Sequence, residues 1–182
     1  MADIIQATRF GNPVLREAAR RLTPEEILSD SVQTLIVNMR HMLVEKSYGV
    51  GIAAPQVGES IALSVIGIKP TPTRPNLEPF DTVIINPEII ETYGRRKKMW
   101  EGCISCGTGD DTLYGLVPRF ERIKVTWLDE HAQSQEEVID GFVAHVVQHE
   151  TDHLNGILFV DRVKDTRSYM MADEYKKRIV QK

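Results

Sequence analysis

Residues 149–153 read His-Glu-Thr-Asp-His, and this H-E-x-x-H pattern constrains the fold more than any other feature of the sequence. On an α-helix, residues four apart lie on the same face, one turn above the other. The two imidazoles can then converge on one metal ion, while Glu150 between them can reach a water bound to that ion. The pattern therefore predicts a helix that carries a metal site. An exposed polar helix face is the alternative interpretation of so short a motif.

The helix that carries this motif is predicted to begin after the cap Asp140 and to end at Asn155-Gly156. His145 lies one turn before His149 on the same face. It is nevertheless about 12 Å from His153 along the axis, because each residue rises about 1.5 Å. Three imidazoles spread over that distance cannot all bind one ion. The third ligand must therefore come from another part of the chain.

Cys103 is the strongest candidate for the third ligand, because thiolate binds first-row divalent metals well. Gly102 before it lets the backbone approach closely. Cys103 also forms a C-x-x-C pair with Cys106, so a closed Cys2His2 zinc site and a redox pair remain as alternatives. The zinc site is disfavoured by the long separation from His149, and it leaves Glu150 without a role. The redox pair is disfavoured because Gly107-Thr108-Gly109 begins a helix poorly.

The composition is that of an ordinary globular protein. The chain has 182 residues, of which 42% are hydrophobic, and this suits one domain with its own core. The net charge of -4 argues against nucleic acid as the main partner. Two cysteines cannot form a secreted disulfide framework, and we find no signal peptide or apolar run long enough for a membrane span. We therefore expect a cytoplasmic protein, with no membrane contact and no sequence-specific nucleic acid.

Hydrophobic periodicity and turn residues predict the remaining elements. The predicted elements are helices over 24–46 and 164–182 (or a C-terminal tail over 164–182), strands over 61–68, 83–85, 89–93 and 123–127, a loop over 69–80 and a turn at Asn86-Pro87. Strands and helices do not alternate strictly. We therefore predict an α+β fold, a single domain over residues 1–182, with antiparallel sheets packed around the central H-E-x-x-H helix.

Three segments, in this order along the chain, resemble the signatures of the peptide deformylase family. They are Gly49-Val50-Gly51-Ile52-Ala53-Ala54-Pro55-Gln56, Glu101-Gly102-Cys103-Ile104-Ser105 and Gln148-His149-Glu150-Thr151-Asp152-His153-Leu154. Shorter matches extend the resemblance over most of the chain: Gly11-Asn12-Pro13-Val14-Leu15-Arg16, Ile85-Asn86-Pro87, Val117-Pro118-Arg119 and Gly156-Ile157-Leu158-Phe159-Val160-Asp161. The three signatures in combination are highly specific.

The resemblance implies a cytoplasmic enzyme of bacterial type that removes the formyl group from formyl-methionine at the N-terminus of newly made polypeptides. It implies one divalent metal ion per chain, Fe(II) in the cell, with Zn, Ni or Co able to occupy the site. It assigns Cys103, His149 and His153 as ligands and Glu150 as the acid and base. It also implies a substrate site in which Ile52 pairs with the substrate backbone.

The chemistry of formamide hydrolysis agrees with these roles. A divalent ion lowers the pKa of a bound water, which attacks the formyl carbon, and Glu150 passes the proton to the leaving amine. Fixed donors help where charge builds on the formyl oxygen, and the Gln56 amide and the Ile104 backbone N–H can supply them. An ordinary loop glutamine is the alternative for Gln56. The predicted substrate-binding residues are Gly51, Ile52, Gly102, Phe142 and His145.

Two features depart from the family pattern. The segment from Cys106 to Tyr114 is longer by about four residues and carries Asp110 and Asp111, so we expect a preference for basic residues after formyl-methionine. An exposed loop that points away from the peptide is the alternative. His145 stands where relatives often carry an aliphatic residue that lines the methionine pocket. A core histidine and a partner of a ligand are alternatives, but we interpret His145 as a pocket wall whose charged form disfavours methionine at low pH.

Two other functions compete with deformylation. A zinc endopeptidase would need a groove open at both ends, whereas a deformylase needs a closed end that admits only formyl. A non-catalytic binding module would be expected to lack Glu150, Gln56 or Cys103, and all three are present. The segment 164–182 carries more Lys and Arg than Asp and Glu. It is either a transient ribosome contact or a solvated helix.

Overall fold

Six strands and five α-helices form the part of the chain that the computed structural model describes, residues 7–45, 49–71 and 74–181. The strands are β1 (Gly51–Ala53), β2 (Leu63–Ile68), β3 (Phe80–Gly102), β4 (Leu113–Leu128), β5 (Ser134–Asp140) and β6 (Met170–Met171). The helices are α1 (Pro24–Ile27), α2 (Asp30–Glu45), α3 (Gly141–Leu154), α4 (Phe159–Arg162) and α5 (Ala172–Tyr175). The short 3-10 turns are Pro13–Arg16, Ala54–Val57, Ile104–Cys106, Gly109–Asp111 and Thr166–Ser168, and a π-helical segment, Lys176–Val180, continues α5. The α+β prediction is confirmed.

The strands make one antiparallel sheet in the order β1-β2-β3-β4-β5, with β6 paired to β4. The sheet is continuous because β3 does not turn at Asn86-Pro87. Asn86 adopts a positive φ of 53° inside a bulge. Its side-chain amide also exchanges two hydrogen bonds with the backbone of Leu22, at 2.9 and 2.8 Å. The predicted turn is therefore a bulge that bends the strand without ending it.

Apolar side chains pack on both faces of the sheet. On one face Ile36 and Met39 of α2 belong to a core cluster with Val65. On the other face Val147 of α3 clusters with Ile66, the next residue of β2. Neighbouring strand residues point to opposite faces, so the sheet separates α2 from α3. The motif-bearing helix α3 therefore packs on one face of the sheet, and most of its residues are buried.

The predicted helix over 24–46 is interrupted. It begins as expected, because Thr23 and Glu26 form a reciprocal capping box. α1 ends at Ile27, however, and α2 begins at Asp30. Ser29 bridges the break, since its Oγ donates to Glu26 O at 2.6 Å and accepts from Val32 N at 3.4 Å. Side-chain bonds of this kind compete with the helix ladder and end it; residue 46 lies outside the described residues.

The predicted C-terminal helix over 164–182 is wrong for residues 164–171. Residues 164–171 contain a 3-10 turn and the short strand β6, and helix begins only at Ala172. Asp165 caps the turn by accepting a hydrogen bond from Arg167 N at 3.1 Å. Met170 and Met171 then pair with Tyr114 and Leu113 at the start of β4. Lys182 lies outside the described residues.

The bounds of α3 agree with the predicted stop at Asn155. Asp140 is the N-cap residue, but its side chain makes no capping hydrogen bond and instead accepts from Arg122 Nη2 at 3.1 Å. In the described ranges we find no helix with the length and apolar character that a membrane span requires.

Candidate metal centre

Cys103, His149 and His153 bring three donor atoms together, all within 4.8 Å of one another. His153 Nε2 lies 3.3 Å from Cys103 Sγ and 3.2 Å from His149 Nε2. Bonds of about 2.1 Å to nitrogen and about 2.3 Å to sulfur in a tetrahedral site place ligand atoms about 3.3–3.6 Å apart. The three atoms therefore fit one divalent ion with a position left for a water. His145 is not part of this group, as the helix geometry predicted.

Cys103 lies where β3 ends and the turn Ile104–Cys106 begins. Its side chain is buried. A hydrogen bond from the Cys106 thiol is the main reason why the pKa of Cys103 lies well below its usual range, and burial opposes this shift. The same hydrogen bond raises the pKa of Cys106. The structure thus favours a thiolate at Cys103 and a thiol at Cys106.

The Cys106 thiol supports the ligand without belonging to the donor group of the described residues. We expect Cys106→Ser to keep its metal and to retain activity within a few-fold, since a hydroxyl can donate the same hydrogen bond. Metal analysis and formate release measure both. A metal-free Cys106→Ser protein would instead support the structural Cys2His2 site.

His149 is oriented by Glu101. Its Nδ1 lies 2.7 Å from Glu101 Oε2, which leaves Nε2 directed at the metal position. Burial by itself lowers the pKa of His149, but the charge of Glu101 raises it well above the usual value. Burial by itself raises the pKa of Glu101, but His149, His145 and Arg119 hold it well below the usual value. A metal ion can bind His149 only through an unprotonated Nε2, so metal and proton compete for that atom.

A buried ionic network holds Glu101 in place. Arg119 donates to both carboxylate oxygens of Glu101, at 2.7 and 3.0 Å, and also binds Asp152 of α3. Arg162 binds the same aspartate through two hydrogen bonds, of 3.0 and 2.6 Å. Gln148 further ties α3 to β4, because its amide exchanges hydrogen bonds of 3.0 and 2.8 Å with the backbone of Phe120. The two ligand histidines are thus fixed relative to the end of β3 that carries Cys103.

Glu150 is 3% exposed, and its Oε2 has no hydrogen-bond partner within the described residues. Burial raises its pKa above the usual value, against the opposing charges of His149 and His153. The carboxylate occupies the space beside Gly51, where any β-carbon would collide with it. Gly51 is therefore required here by a close approach. A buried carboxyl with one unpaired oxygen is suited to proton transfer.

Gln56 is 2% exposed and points its amide at the metal position. Its Oε1 accepts from Ala53 N at 2.8 Å, which fixes the orientation of the amide. Its Nε2 then faces Cys103 Sγ at 3.2 Å and Ser105 Oγ at 3.4 Å. Gln56 is therefore not an ordinary loop residue, since its N–H donors are held beside the three metal-binding atoms.

One cavity of about 270 Å³ is lined by Cys103, His149, Glu150 and Gln56. All the catalytic and substrate-binding residues predicted from the sequence line it except Ile52, whose side chain is buried in the core. The lining residues that were not predicted are Gly49, Val50, Arg74, Trp100, Glu101, Thr112, Tyr114, Val146, Tyr175 and Val180. Phe142 lies under the Arg74 guanidinium, whose carbon is 3.9 Å from the ring centroid.

His145 lines this cavity and also touches Glu101, with its Nε2 2.5 Å from Oε1. This position agrees with two of the three roles considered from the sequence, a pocket wall and a partner of a ligand. It stands at the wall of the cavity, and it contacts the carboxylate that orients a ligand histidine.

Some residues around the site carry no local sequence signal. Glu101 and Arg119 stand in the quoted motifs, but nothing in their spacing indicates that they pair with each other or with His149. Tyr175 lies in a segment that was predicted only as a solvated helix or tail. A buried arginine flanked by acids becomes recognisable only when the sheet register is known.

An α+β domain whose buried helix presents two histidines and a glutamate to a cysteine from a strand end belongs to the class of single-metal hydrolases. The model of the family described as polypeptide deformylase matches residues 4–169. The chain is 36% identical over 176 residues to "Peptide deformylase 2" of Nostoc sp., covering 95% of this chain and 93% of that protein. It is 38% identical over 168 residues to the peptide deformylase of Aquifex aeolicus, with 92% of each chain covered.

Solved structures agree with these relatives. A class I type b peptide deformylase from Acinetobacter baumannii, bound to Met-Ala-Ser, superposes with a TM-score of 0.82 at 35% identity, covering 90% of this chain and 100% of that one. The Synechococcus elongatus enzyme in complex with actinonin gives a TM-score of 0.77 at 36% identity, with 92% and 85% covered. The chain belongs to the peptide deformylase family. It is a hydrolase that removes the N-terminal formyl group from newly made polypeptides.

Proposed function

We propose that Cys103, His149 and His153 hold one divalent ion, Fe(II) in the cell, and that Glu150 moves the proton during removal of the formyl group. One observation carries this proposal: three donor atoms lie within 4.8 Å of one another beside a buried carboxylate. A thiolate and two imidazoles suit Fe, Co, Ni and Zn alike. The choice of Fe(II) follows the family resemblance, and metal analysis of protein purified without oxygen tests it.

The ion, when bound, supplies Lewis acidity that lowers the pKa of a water and polarises the formyl carbonyl. Glu150 accepts the proton at Oε2 and returns it to the amine that leaves. Its burial, which raises its pKa, makes it a stronger base than a solvated carboxylate.

Gln56 and Ile104 stabilise the charge that develops on the formyl oxygen. Gln56 Nε2 is held beside Cys103 by its fixed partner Ala53. The backbone N–H of Ile104, the residue after Cys103, is the second donor. Because both groups are positioned before the reaction, they need no reorganisation as charge develops.

The substrate backbone binds between Ile52 and Gly102. β1 is an edge strand that pairs only with β2 among the described strands, so Ile52 can add an extended peptide as a further strand. The methionine side chain then enters between Phe142 and His145 on the α3 side. The Acinetobacter baumannii relative was crystallised with Met-Ala-Ser, and this supports a peptide as the ligand of this chain.

We expect His145→Leu to keep one metal per chain and to lower KM for formyl-methionine peptides a few-fold. Leucine gives methionine an apolar neighbour, and Glu101 keeps Arg119 and His149 as partners. Steady-state kinetics and metal analysis check both. Loss of metal would assign His145 to ligand orientation, and an unchanged KM would make it a core residue.

Peptides with formylated and acetylated ends separate deformylation from endopeptidase activity. We expect hydrolysis of the formyl group alone, with acetyl-Met-Ala-Ser and internal peptide bonds left intact. If mass spectrometry instead detects cleavage at internal bonds of a longer peptide, the protein would be an endopeptidase.

A cytoplasmic location and transient ribosome contact through 164–182 complete the proposal. The support for ribosome contact is the exposed cluster Lys176, Lys177 and Arg178, although each already pairs with an acid of this chain. Sedimentation with ribosomes at low and high salt tests the contact. Retention that disappears at high salt is the expected result.

A further inference from the structure

We propose that residues 172–180 form a wall of the substrate pocket and that Tyr175 selects the side chain that follows formyl-methionine. This inference rests on the proposed function of the cavity and adds a specificity-determining residue to it. The segment was predicted from the sequence to be a solvated helix or tail. Instead, Tyr175 and Val180 line the same cavity as Cys103, Gln56 and Glu150.

Tyr175 belongs to an aromatic cluster with Tyr114 and Trp100. Its ring stacks on Tyr114 with centroids 4.4 Å apart and planes 5° apart. Trp100 packs against it at 5.5 Å and 58°. All three side chains line the cavity, so they present a continuous apolar surface to whatever occupies it.

Two contacts fix this wall to the lengthened segment after Cys103. β6 pairs with the first residues of β4, including Tyr114 opposite Met170. Lys176 Nζ donates to Asp110 Oδ1 at 2.7 Å. This ion pair compensates the charge of Asp110. The preference for basic residues after formyl-methionine, expected from Asp110 and Asp111, therefore rests mainly on Asp111. The matched family model ends at residue 169, before this segment begins.

The alternation of side chains along an extended peptide directs its second residue to this wall. On β3, Glu101 contacts His145 and His149 of α3, whereas the adjacent Trp100 contacts Tyr175. The cavity therefore has an α3 side and an aromatic side. Successive side chains of a bound strand point in opposite directions. If methionine enters on the α3 side, the next side chain meets the aromatic cluster.

The wall also stands next to the reacting end of the peptide. A β-carbon at Gly102 would lie 2.8 Å from the ring of Tyr114, so that ring covers the backbone just before Cys103. A bound peptide that extends from the metal position along Gly102 therefore lies directly beside the stacked rings of Tyr114 and Tyr175. Stacked rings favour an aromatic or aliphatic side chain over glycine or a charged one.

The test compares formyl-Met-Phe-Ser with formyl-Met-Gly-Ser as substrates. In the wild-type protein we expect kcat/KM to favour the phenylalanine peptide. In Tyr175→Ala that preference should fall roughly five-fold, mainly through KM, because Tyr175 touches no reacting atom. Ile179→Ala is the matched control on the same segment, since Ile179 is partly exposed and does not line the cavity. It should keep the wild-type preference.

An unchanged preference in Tyr175→Ala, with metal content and circular dichroism like the wild type, would overturn the proposal. If that variant does not fold, Tyr175→Phe and Tyr175→Leu replace it: Phe should keep the preference and Leu should reduce it. Calorimetry measures the binding of Met-Phe-Ser and Met-Gly-Ser and so tests the wall independently of formate release. If the wild-type protein releases no formate, the proposed function is refuted. A binding preference for Met-Phe-Ser that is lost in Tyr175→Ala would in that case still support the wall.

Discussion

Cys103→Ala should lose most of its bound metal and nearly all of its formate release. The thiolate is one of only three donors in the group, and it lies 3.3 Å from His153 Nε2. The histidines that remain would share the ion with water, and two ligands hold a divalent metal far less tightly than three. Metal analysis of the purified protein, together with formate release, gives both readouts.

Cys106→Ser is the matched control for this variant, because it removes the neighbouring thiol without removing a donor of the group. It should keep metal under the same purification. A Cys103→Ala protein that retains one metal per chain would show that another residue completes the site, and the ligand assignment would then be wrong.

Glu150→Gln should keep its metal and bind substrate, yet lose at least about 100-fold in turnover, the usual scale for removal of a general acid–base group. Glutamine has nearly the same shape, so it fits the space beside Gly51 that admits no additional side chain. It cannot accept a proton from the attacking water. The rate of formate release and the metal content are measured on the same sample. Together they distinguish a slower reaction from a loss of the metal ion.

Glu137→Gln on the exposed part of β5 is the control for the change of charge alone. It should leave turnover near that of the wild type. Near-normal turnover in Glu150→Gln would contradict its role, and loss of metal in that variant would make Glu150 a structural partner of the ligands.

The helix that carries His149 and His153 could be predicted because its information is local. The spacing of the two histidines indicates a helix, and Asn155 ends it where expected. The place of Cys103 beside them in one group of donor atoms was also expected, since few residues in the chain can supply a thiolate. By contrast, the Glu101–Arg119–Asp152 network joins three separate elements, β3, β4 and α3. No periodicity reports such long-range pairs, so the residues that orient His149 appear only with the sheet register.

The mistakes share a physical cause, which is that tertiary contacts overrule local signals. Asn86-Pro87 has the composition of a turn, yet the bonds of Asn86 to Leu22 allow β3 to continue through it. Residues 164–182 have the composition of a solvated helix. Pairing of β6 with β4 and stacking of Tyr175 on Tyr114 draw that segment onto the pocket instead.

Formate release from formyl-Met-Ala-Ser is the most direct measurement, using wild-type protein purified without oxygen and analysed for metal. We predict that the rate is proportional to the metal bound, near one ion per chain at full activity, that a chelator abolishes it, and that Fe(II) restores it. Equal formate release from the metal-free protein, or no release from protein that carries a full equivalent of Fe(II), would contradict a metal-dependent deformylase built on Cys103, His149 and His153.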